Sequence, residues 1–161
     1  MMGTSFEGMV RELADKDAIR DLACRYAHCV WQTDVASAVD LFTEDGVMDT
    51  GDRPPIVGHV ALRQAYQGMV NGPQLQPFVH NHVIELRGDE ATGTCYLDLR
   101  ASMNGESMIG SGFYNDQYVR TAQGWKFRSR KLTMRFFVPL SQGWAAQGSA
   151  ALPGAAKSEK P

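Results

Sequence analysis

The sequence predicts an α+β fold in which three helices pack on the concave face of a curved β-sheet. Helical apolar spacing is found within residues 17–70, and strand-like alternation dominates after it. The strongest strand signal is residues 110–140, where aromatic and β-branched residues recur between polar ones on both sides of a turn at 121–124. Gly110 and Gly112 are predicted points of curvature in this hairpin. Because the concave face of such a sheet must be filled, we expect a pocket between helices and sheet.

Capping residues and apolar spacing predict the three helices. Asp17 is the predicted N-cap of the first, whose inward residues are Ile19, Leu22, Ala23, Tyr26, Cys29 and Val30. Asp34 is the predicted N-cap of the second, which ends at Asp45-Gly46 and whose inward residues are Val35, Ala38, Val39 and Phe42. The third helix covers residues 61–70. Residues 1–15 are expected to form a loose N-terminal arm.

Strand patterns and turn residues account for most of the remaining chain. A short strand at 47–50 precedes a loop in which Pro54 and Pro55 forbid regular pairing. Strands at 78–86 and 91–103, with a turn at Asn104-Gly105, lead into the long hairpin. An α-α-β-α order followed by four strands favours α+β over a parallel α/β sheet. We therefore predict one domain at 16–144, followed by a flexible C-terminal tail at 145–161 that is rich in Ala, Gly, Ser and Pro.

Composition excludes several classes of partner. The chain has 161 residues, a formal net charge of −2 and an isoelectric point near 6.1, which give no electrostatic reason to expect nucleic acid or an anionic membrane. No apolar run reaches membrane-spanning length, and the N-terminus lacks the pattern of a signal peptide. The three cysteines cannot all pair and form no CxxC motif, so reduced thiols in a cytoplasmic protein are expected.

Several stretches carry a family resemblance when they are taken together in this order: DKDAIRDLACRYAHCVWQTDVASAVDLFTEDGVMD, VGHVALRQAY, FVHNHVIELRGDEATGTCYLDL and YNDQYVRTAQGWKFRSRKLTMRFF. The chain resembles the SnoaL-like branch of the nuclear transport factor 2-like superfamily, over about residues 17–144. The resemblance implies a cone: a curved mixed sheet, of the cystatin-like α+β barrel type, around an apolar cavity. Relatives include scytalone dehydratase, bile-acid dehydratase and polyketide cyclases, most of which use neither metal nor organic cofactor. Their exposed sheet faces commonly pair with a second copy, so the resemblance implies a homodimer or higher homo-oligomer.

Three positions depart from the pattern of those relatives. A pocket aspartate often follows the first-helix tyrosine by about five residues, and here Tyr26 is followed at that distance by Trp31. A pocket histidine often precedes the central-strand asparagine by four residues, and that position holds Pro77. A further aspartate of bile-acid dehydratase falls at Leu99. Tyr26 is therefore the member of the expected set that this sequence retains.

Two histidines on the predicted central strand are the candidates for proton transfer. In an unbent strand His80 and His82 share one face, which continues with apolar residues. A histidine there can serve as a general base because its usual pKa is near neutral pH, and His80 lies close to the position that carries the base in relatives. The alternative is a core histidine bonded to the backbone. Zinc is disfavoured because a catalytic site usually needs about three protein ligands.

The other candidates would bind the substrate. Tyr26 and Tyr114 could donate phenolic hydrogen bonds to a developing oxyanion, and Trp31 could stack on a ring or simply fill the cavity. Leu99 and Met134 would supply apolar wall. The charged candidates, each with a solvated surface role as the alternative, are Asp49 at the cavity mouth and Arg135 as partner of a ligand carboxylate or enolate.

Two functional hypotheses follow from these residues. In the first, the chain is a cofactor-independent lyase or isomerase that acts on a hydroxylated, largely apolar ring compound, with His80 and Tyr26 as catalytic residues. In the second, the cavity belongs to a non-catalytic binding module or an accessory subunit, because Trp31, Pro77 and Leu99 stand where relatives carry ionisable groups. Both hypotheses predict a small apolar or aromatic ligand.

Overall fold

The structure is a computed structural model that describes residues 5–70 and 72–145. The three helices are α1 (Phe6–Gln32), α2 (Val35–Asp40) and α3 (Gly58–Val70). The six strands are β1 (Phe42–Asp49), β2 (Ile56–Val57), β3 (Gln74–Arg87), β4 (Glu90–Met103), β5 (Glu106–Thr121) and β6 (Gly124–Pro139). The predicted C-terminal tail lies outside the described residues from 146 onwards.

One mixed sheet organises the molecule, and the predicted α+β class is confirmed. Its strand order is β2-β1-β6-β5-β4-β3, with β1 parallel to β6 and every other neighbouring pair antiparallel. The β5–β6 hairpin turns at residues 121–124, as its sequence predicts. Helix α1 packs mainly on β3, while α3 packs on β1. The core lies between these helices and the inner face of the sheet.

Helix α1 begins twelve residues earlier than its sequence indicates, so the predicted loose arm is wrong for residues 6–15. Ser5 caps the helix, and its Oγ accepts a hydrogen bond from the Gly8 amide at 3.1 Å. Phe6 and Leu13 are exposed, and the buried stripe starts only at Ile19. The core-facing periodicity therefore gives no sign of the first three turns of α1.

A polar contact fixes this early part of α1 to the end of the sheet. Both terminal nitrogens of Arg120 donate to the Asp15 carboxylate, at 2.7 and 2.6 Å, and the Trp125 indole nitrogen donates to it at 3.2 Å. These hydrogen bonds, above all those from Arg120, hold the pKa of Asp15 below its usual value. Asp15 is separated from Arg120 by 105 positions in the chain and from Trp125 by 110, so these contacts cannot be inferred from the sequence alone.

Helix α2 is shorter than predicted, and Phe42 opens a strand instead of closing the helix. Asp34 does cap α2, as expected: its Oδ1 accepts from the Ser37 amide at 3.1 Å. Phe42 is fully buried against Tyr26 and Phe127, and this tertiary packing overrides the helical spacing. After the two prolines the chain pairs briefly with β1 through β2. In the described residues, no helix is long and apolar enough to cross a membrane.

Candidate functional site

A narrow pocket opens between the C-terminal ends of α1 and α3, helix α2 and the start of β3. Its polar lining is Tyr26, Tyr66, Thr33 and Asp34, and the rest is Cys29, Val30, Val35, Ala38, Val70, Pro73 and Leu75. The centre of a water molecule can occupy about 50 Å³ of it, room for roughly three or four waters. The pocket can therefore hold a small, mostly apolar molecule that has one or two polar groups.

Two phenols meet at this pocket. The hydroxyl oxygens of Tyr26 and Tyr66 lie 3.0 Å apart, and both side chains are buried. Burial is the main cause that raises the pKa of Tyr66 to about 12 and that of Tyr26 well above its usual value. Both phenols are therefore neutral near pH 7. Since one hydroxyl proton is used between them, the other can be donated to a ligand oxygen.

Asp34 is the pocket's ionised side chain. It is exposed, and its hydrogen bonds from Ser37 at the start of α2 lower the pKa of its carboxyl group. The nearby Cys29 is buried, and that burial raises the pKa of its thiol, which disfavours the reactive thiolate. The pocket thus combines neutral hydroxyl donors with one carboxylate at its rim.

Behind Tyr26 lies a buried ion pair that the sequence analysis did not identify. Nε and Nη2 of Arg130 each donate to Asp116, both at 2.9 Å, and neither side chain is exposed. The guanidinium carbon lies 4.5 Å from the ring centroid of Tyr26, 3.9 Å from that of Tyr114 and 4.2 Å from that of Phe127. The cation is therefore stabilised by one carboxylate and three aromatic faces.

The carboxylate end of the pair continues into a second hydrogen-bonded chain. Tyr118 donates its hydroxyl proton to Asp116 at 2.8 Å, and the same oxygen lies 2.9 Å from Nε2 of His82. Because the Tyr118 proton is engaged by the carboxylate, Nε2 of His82 is the donor in that contact. Gly93 packs against the rings of His82 and Tyr118. A Cβ added at this position would lie 3.2 Å from His82 Nε2 and 3.2 Å from Tyr118 Cε2, which is a tight contact with both rings.

A β-bulge decides which histidine faces inward. His80 pairs with Tyr96 and His82 with Cys95, so β3 carries one extra residue, and Asn81 takes a left-handed φ of 46°. The shared face expected for an unbent strand is therefore not present. His80 lies on the outer face, 42% exposed, with its Nε2 3.5 Å from Asp98. His80 cannot act inside the cavity from this position.

A second bulge brings Arg130 into the core. Tyr118 pairs with Phe127 while Gln117 pairs with Ser129, so β6 also carries an extra residue. Strict alternation would place Phe127 and Arg130 on opposite faces, and the bulge turns both inward. A sequence signal for Asp116 did exist, because it alternates with two inward tyrosines at 114 and 118. Its burial as a charge was not anticipated.

The remaining predicted site residues lie outside the pocket lining. Trp31 is 40% exposed, donates from its indole nitrogen to the Pro77 carbonyl at 2.8 Å, and packs edge-on against Phe78. It is therefore not the cavity wall that its spacing from Tyr26 suggests. Tyr114 is buried 6.2 Å from Tyr26, centroid to centroid, behind the pocket.

The apolar and charged candidates have structural contacts instead. Leu99 packs at the margin of the core, and Met134 lies close to Gly110 and Gly112. Asp49 accepts from the Gly51 amide at 2.9 Å and pairs with Lys131 at 3.3 Å. Arg135 is exposed, with its guanidinium 5.4 Å from the Phe113 ring centroid. Within the described part of the chain, no three His, Cys, Asp or Glu side chains are grouped as a metal site.

The buried position of His82 predicts an acid-dependent loss of stability. Burial lowers the pKa of His82 from 6.5 to about 4. In the unfolded chain this histidine takes up its proton near pH 6.5, so between pH 6.5 and 4 the unfolded state binds more protons. We expect the free energy of unfolding to fall by about 1–3 kcal/mol across this window, after allowance for solvent screening. Urea unfolding at several pH values should show this fall, and His82→Phe should lack it; superimposable pH profiles would contradict the prediction.

The fold and the site define a small cone-shaped α+β protein with a tyrosine-lined pocket. The model of the SnoaL-like domain family matches residues 11–131, and the chain therefore belongs to that family. The resemblance inferred from the sequence is confirmed. A comparison with curated proteins finds no match.

Solved structures from Novosphingobium aromaticivorans share the fold. One, provisionally described as an aromatic ring hydroxylase, is 26% identical over 81% of this chain and 96% of that chain, with a TM-score of 0.74. Another, provisionally described as a scytalone dehydratase, is 20% identical over 79% of this chain and 88% of that chain, with a TM-score of 0.74. An NTF2-like protein with a cystatin-like fold is 20% identical over 91% of this chain and 97% of that chain, with a TM-score of 0.65. At 20% identity, the last two show the fold alone.

Proposed function

We propose that this chain is a cofactor-independent lyase or isomerase whose substrate is a small, largely apolar ring compound with a carbonyl oxygen. The observation that carries the proposal is the pair of neutral phenols, Tyr26 and Tyr66, 3.0 Å apart at an apolar pocket. Membership of the SnoaL-like family supports the dehydratase and cyclase class of chemistry.

The proposed chemistry is proton abstraction next to the carbonyl group. The free hydroxyl proton of the phenol pair is donated to the carbonyl oxygen and stabilises the negative charge that develops there. The Asp34 carboxylate takes the proton from the adjacent carbon, in place of the excluded His80. In a dehydration, the enolate then expels a β-hydroxyl group, which leaves as water with the proton from Asp34. In an isomerisation, the same proton returns to a different carbon.

A non-catalytic binding module is the second candidate. The observation that favours it is that Asp34, the pocket's ionised side chain, is exposed at the rim and already accepts a hydrogen bond from Ser37. A carboxylate in that position has a low pKa and is a weak base. In this version the phenols bind a ligand oxygen, and no bond of the ligand changes. An accessory-subunit role, the other non-catalytic hypothesis of the sequence analysis, stays a prediction.

A turnover screen of hydroxyketones by chromatography coupled to mass spectrometry, which resolves isomers of equal mass, separates these candidates. Asp34→Asn is the informative variant, because asparagine caps a helix as well as aspartate does but cannot accept the substrate proton. We expect it to slow turnover by about 10²–10⁴-fold, and Tyr26→Phe by about 10²–10³-fold. The matched control is Asp40→Asn at the exposed end of α2. Turnover that survives in both pocket variants would contradict the mechanism, and retention of compounds without turnover would favour the binding module.

We also propose that the outer sheet face joins copies of the chain. Phe78, Val83 and Tyr96 are exposed on this face, from 39% to 61%. Exposed apolar patches mark protein–protein interaction sites. Light scattering at micromolar concentration should give the mass of a dimer or a larger homo-oligomer. A monomeric mass would contradict this proposal.

A further inference from the structure

We propose that the outer stripe of α1, formed by Phe6, Met9, Val10 and Leu13, pairs two copies of the chain through antiparallel helix packing. The tyrosine pocket is lined by the opposite, C-terminal end of α1, so this inference goes beyond the proposed enzymatic function. It adds a second contact between copies to the one proposed for the outer sheet face.

The outer stripe of α1 faces away from the body of the molecule. Its four side chains have the three-and-four spacing of one helical face, and they are between 47% and 76% exposed. Asp15, whose carboxylate contacts Arg120 and Trp125, follows Leu13 by two residues, which is about 200° around a helix. The buried residues of α1 begin only at Ile19. The stripe therefore contributes nothing to the core of a single copy.

The first turns of α1 are helical although little in one copy supports them. Residues 5–14 are exposed apart from the half-buried Gly8, and a helical segment of this length is marginal in water without packing. Gly8 and Val10 both have low helix propensity. The ion pair between Asp15 and Arg120 fixes the inner side of these turns. A second chain on the outer stripe would supply the burial that their apolar side lacks.

The outer stripe is complementary to itself when two copies run antiparallel. With a two-fold axis between Met9 and Val10, these residues meet their counterparts at the centre of the contact. Phe6 of one copy then lies against Leu13 of the other at both ends. The antiparallel direction also separates the positive N-terminal ends of the two helix dipoles. A second copy of the chain therefore matches the stripe in both spacing and direction.

The charges beside the stripe agree with this arrangement. Glu7 and Arg11 lie on one side of the stripe, and Glu12 lies on the other. In a two-fold antiparallel pair each side meets the same side of the partner, so Glu7 comes beside Arg11 and the glutamates stay apart. Helices that lie on anionic membranes carry mainly Lys and Arg on their polar face. The two glutamates here make a membrane surface the poorer occupant.

The size of the stripe determines what the contact can do. Four side chains bury less than the about 800 Å² per partner that is typical of a stable interface, so one such contact is weak. Two dimers joined through their outer sheet faces can make it twice, and the second contact then forms at high effective concentration. Two kinds of two-fold contact build a tetramer of D2 symmetry. The expected assembly is therefore a tetramer.

Cysteine crosslinking tests the arrangement of the helices. All variants carry Cys24→Ala, since Cys24 is exposed whereas the other two cysteines are buried. Phe6→Cys and Leu13→Cys proteins, mixed and oxidised with oxidised glutathione, should form a mixed disulfide. Neither protein alone should crosslink, because two copies of either position lie about 10 Å apart along the helices, beyond the reach of a disulfide. Val60→Cys on α3, a similarly exposed position, replaces Leu13→Cys in the control mixture.

Light scattering at micromolar concentration gives a second readout. The wild type should have the mass of a tetramer, and Leu13→Lys should reduce it to that of a dimer. Loss of a leucine buried at the contact weakens the tetramer by more than about tenfold. Because Leu13 is exposed in a single copy, the variant should keep the wild-type circular dichroism spectrum. The control Val60→Lys should leave the mass unchanged.

The outcomes separate this contact from the one on the sheet face. Absence of the mixed disulfide, or a mass that Leu13→Lys leaves unchanged, would overturn the inference and leave the proposed function standing. A mixed disulfide together with a monomeric Leu13→Lys variant would support the inference and contradict the sheet-face contact. Binding of phosphatidylserine vesicles by the wild type but not by Leu13→Lys, without a mixed disulfide, would overturn the inference and assign the stripe to a membrane surface.

Discussion

Arg130→Met is expected to lower the free energy of unfolding by about 3–5 kcal/mol, because it leaves the Asp116 carboxylate buried without its cation. Tyr118 would remain the carboxylate's hydrogen-bond donor, and one neutral donor cannot replace two charged ones. The measurement is urea unfolding at pH 7. A loss below about 1 kcal/mol, the value typical of exposed pairs, would contradict the buried position of this ion pair.

The double variant shows whether the loss comes from the pairing. Adding Asp116→Val to Arg130→Met should recover most of the stability, since apolar replacements of a whole buried pair are often neutral or better. Tyr118 can then donate to His82 instead. Arg128→Met is the control, because its partner Glu90 and Arg128 itself are 61% and 47% exposed; it should cost less than about 1 kcal/mol.

Gly112→Ala is expected to destabilise the chain by about 3 kcal/mol or more, beyond the usual cost of overpacking. A Cβ at this position would overlap the backbone oxygen of Thr133 and lie 3.0 Å from the Cα of Met134. Backbone atoms of the neighbouring strand cannot rotate away as a side chain does. The contact arises because β6 bulges opposite Gly112, where Ser111 pairs with Phe136 and Gly112 with Met134.

Gly68→Ala is the matched control for this substitution. Gly68 lies within α3 with no atom within 4 Å of an added Cβ, so alanine should stabilise the chain by about 0.5–1 kcal/mol through helix propensity. Thermal and urea unfolding of the two variants measures the difference. If Gly112→Ala were as stable as the wild type, β5 and β6 would not approach each other as closely as the structure has them.

The fold was predictable because its local signals agree with its tertiary structure. Tyr26 lies on a long apolar stripe, the β5–β6 turn has the expected residues, and Asp34 caps α2 as its sequence indicates. The early start of α1 was not predictable, since its exposed apolar side chains leave the core periodicity unchanged. It is stabilised instead by Asp15 and Arg120, which are far apart in sequence.

The site was predictable only in part, because one extra residue in a strand reverses which of the following side chains face the core. One bulge at Asn81 sends His80 outward and His82 inward, and another turns Arg130 into the core. Alternation along a strand carries no information on where such residues fall. Tyr66 lies within the predicted third helix, but its contact with Tyr26 spans 40 residues and follows only from the packing of α3. The pocket could therefore be identified only from the structure, whereas the family could be inferred from the sequence.

A crystal structure grown with 4-cyanophenol would most directly test whether the tyrosine pocket is the ligand site. We predict electron density for the ring between α1, α2 and α3, with the phenol oxygen within hydrogen-bond distance of the hydroxyl group of Tyr26 or Tyr66. Density elsewhere, for example beside His80 and Asp98 on the outer face of the sheet, with none in the pocket, would contradict the central claim.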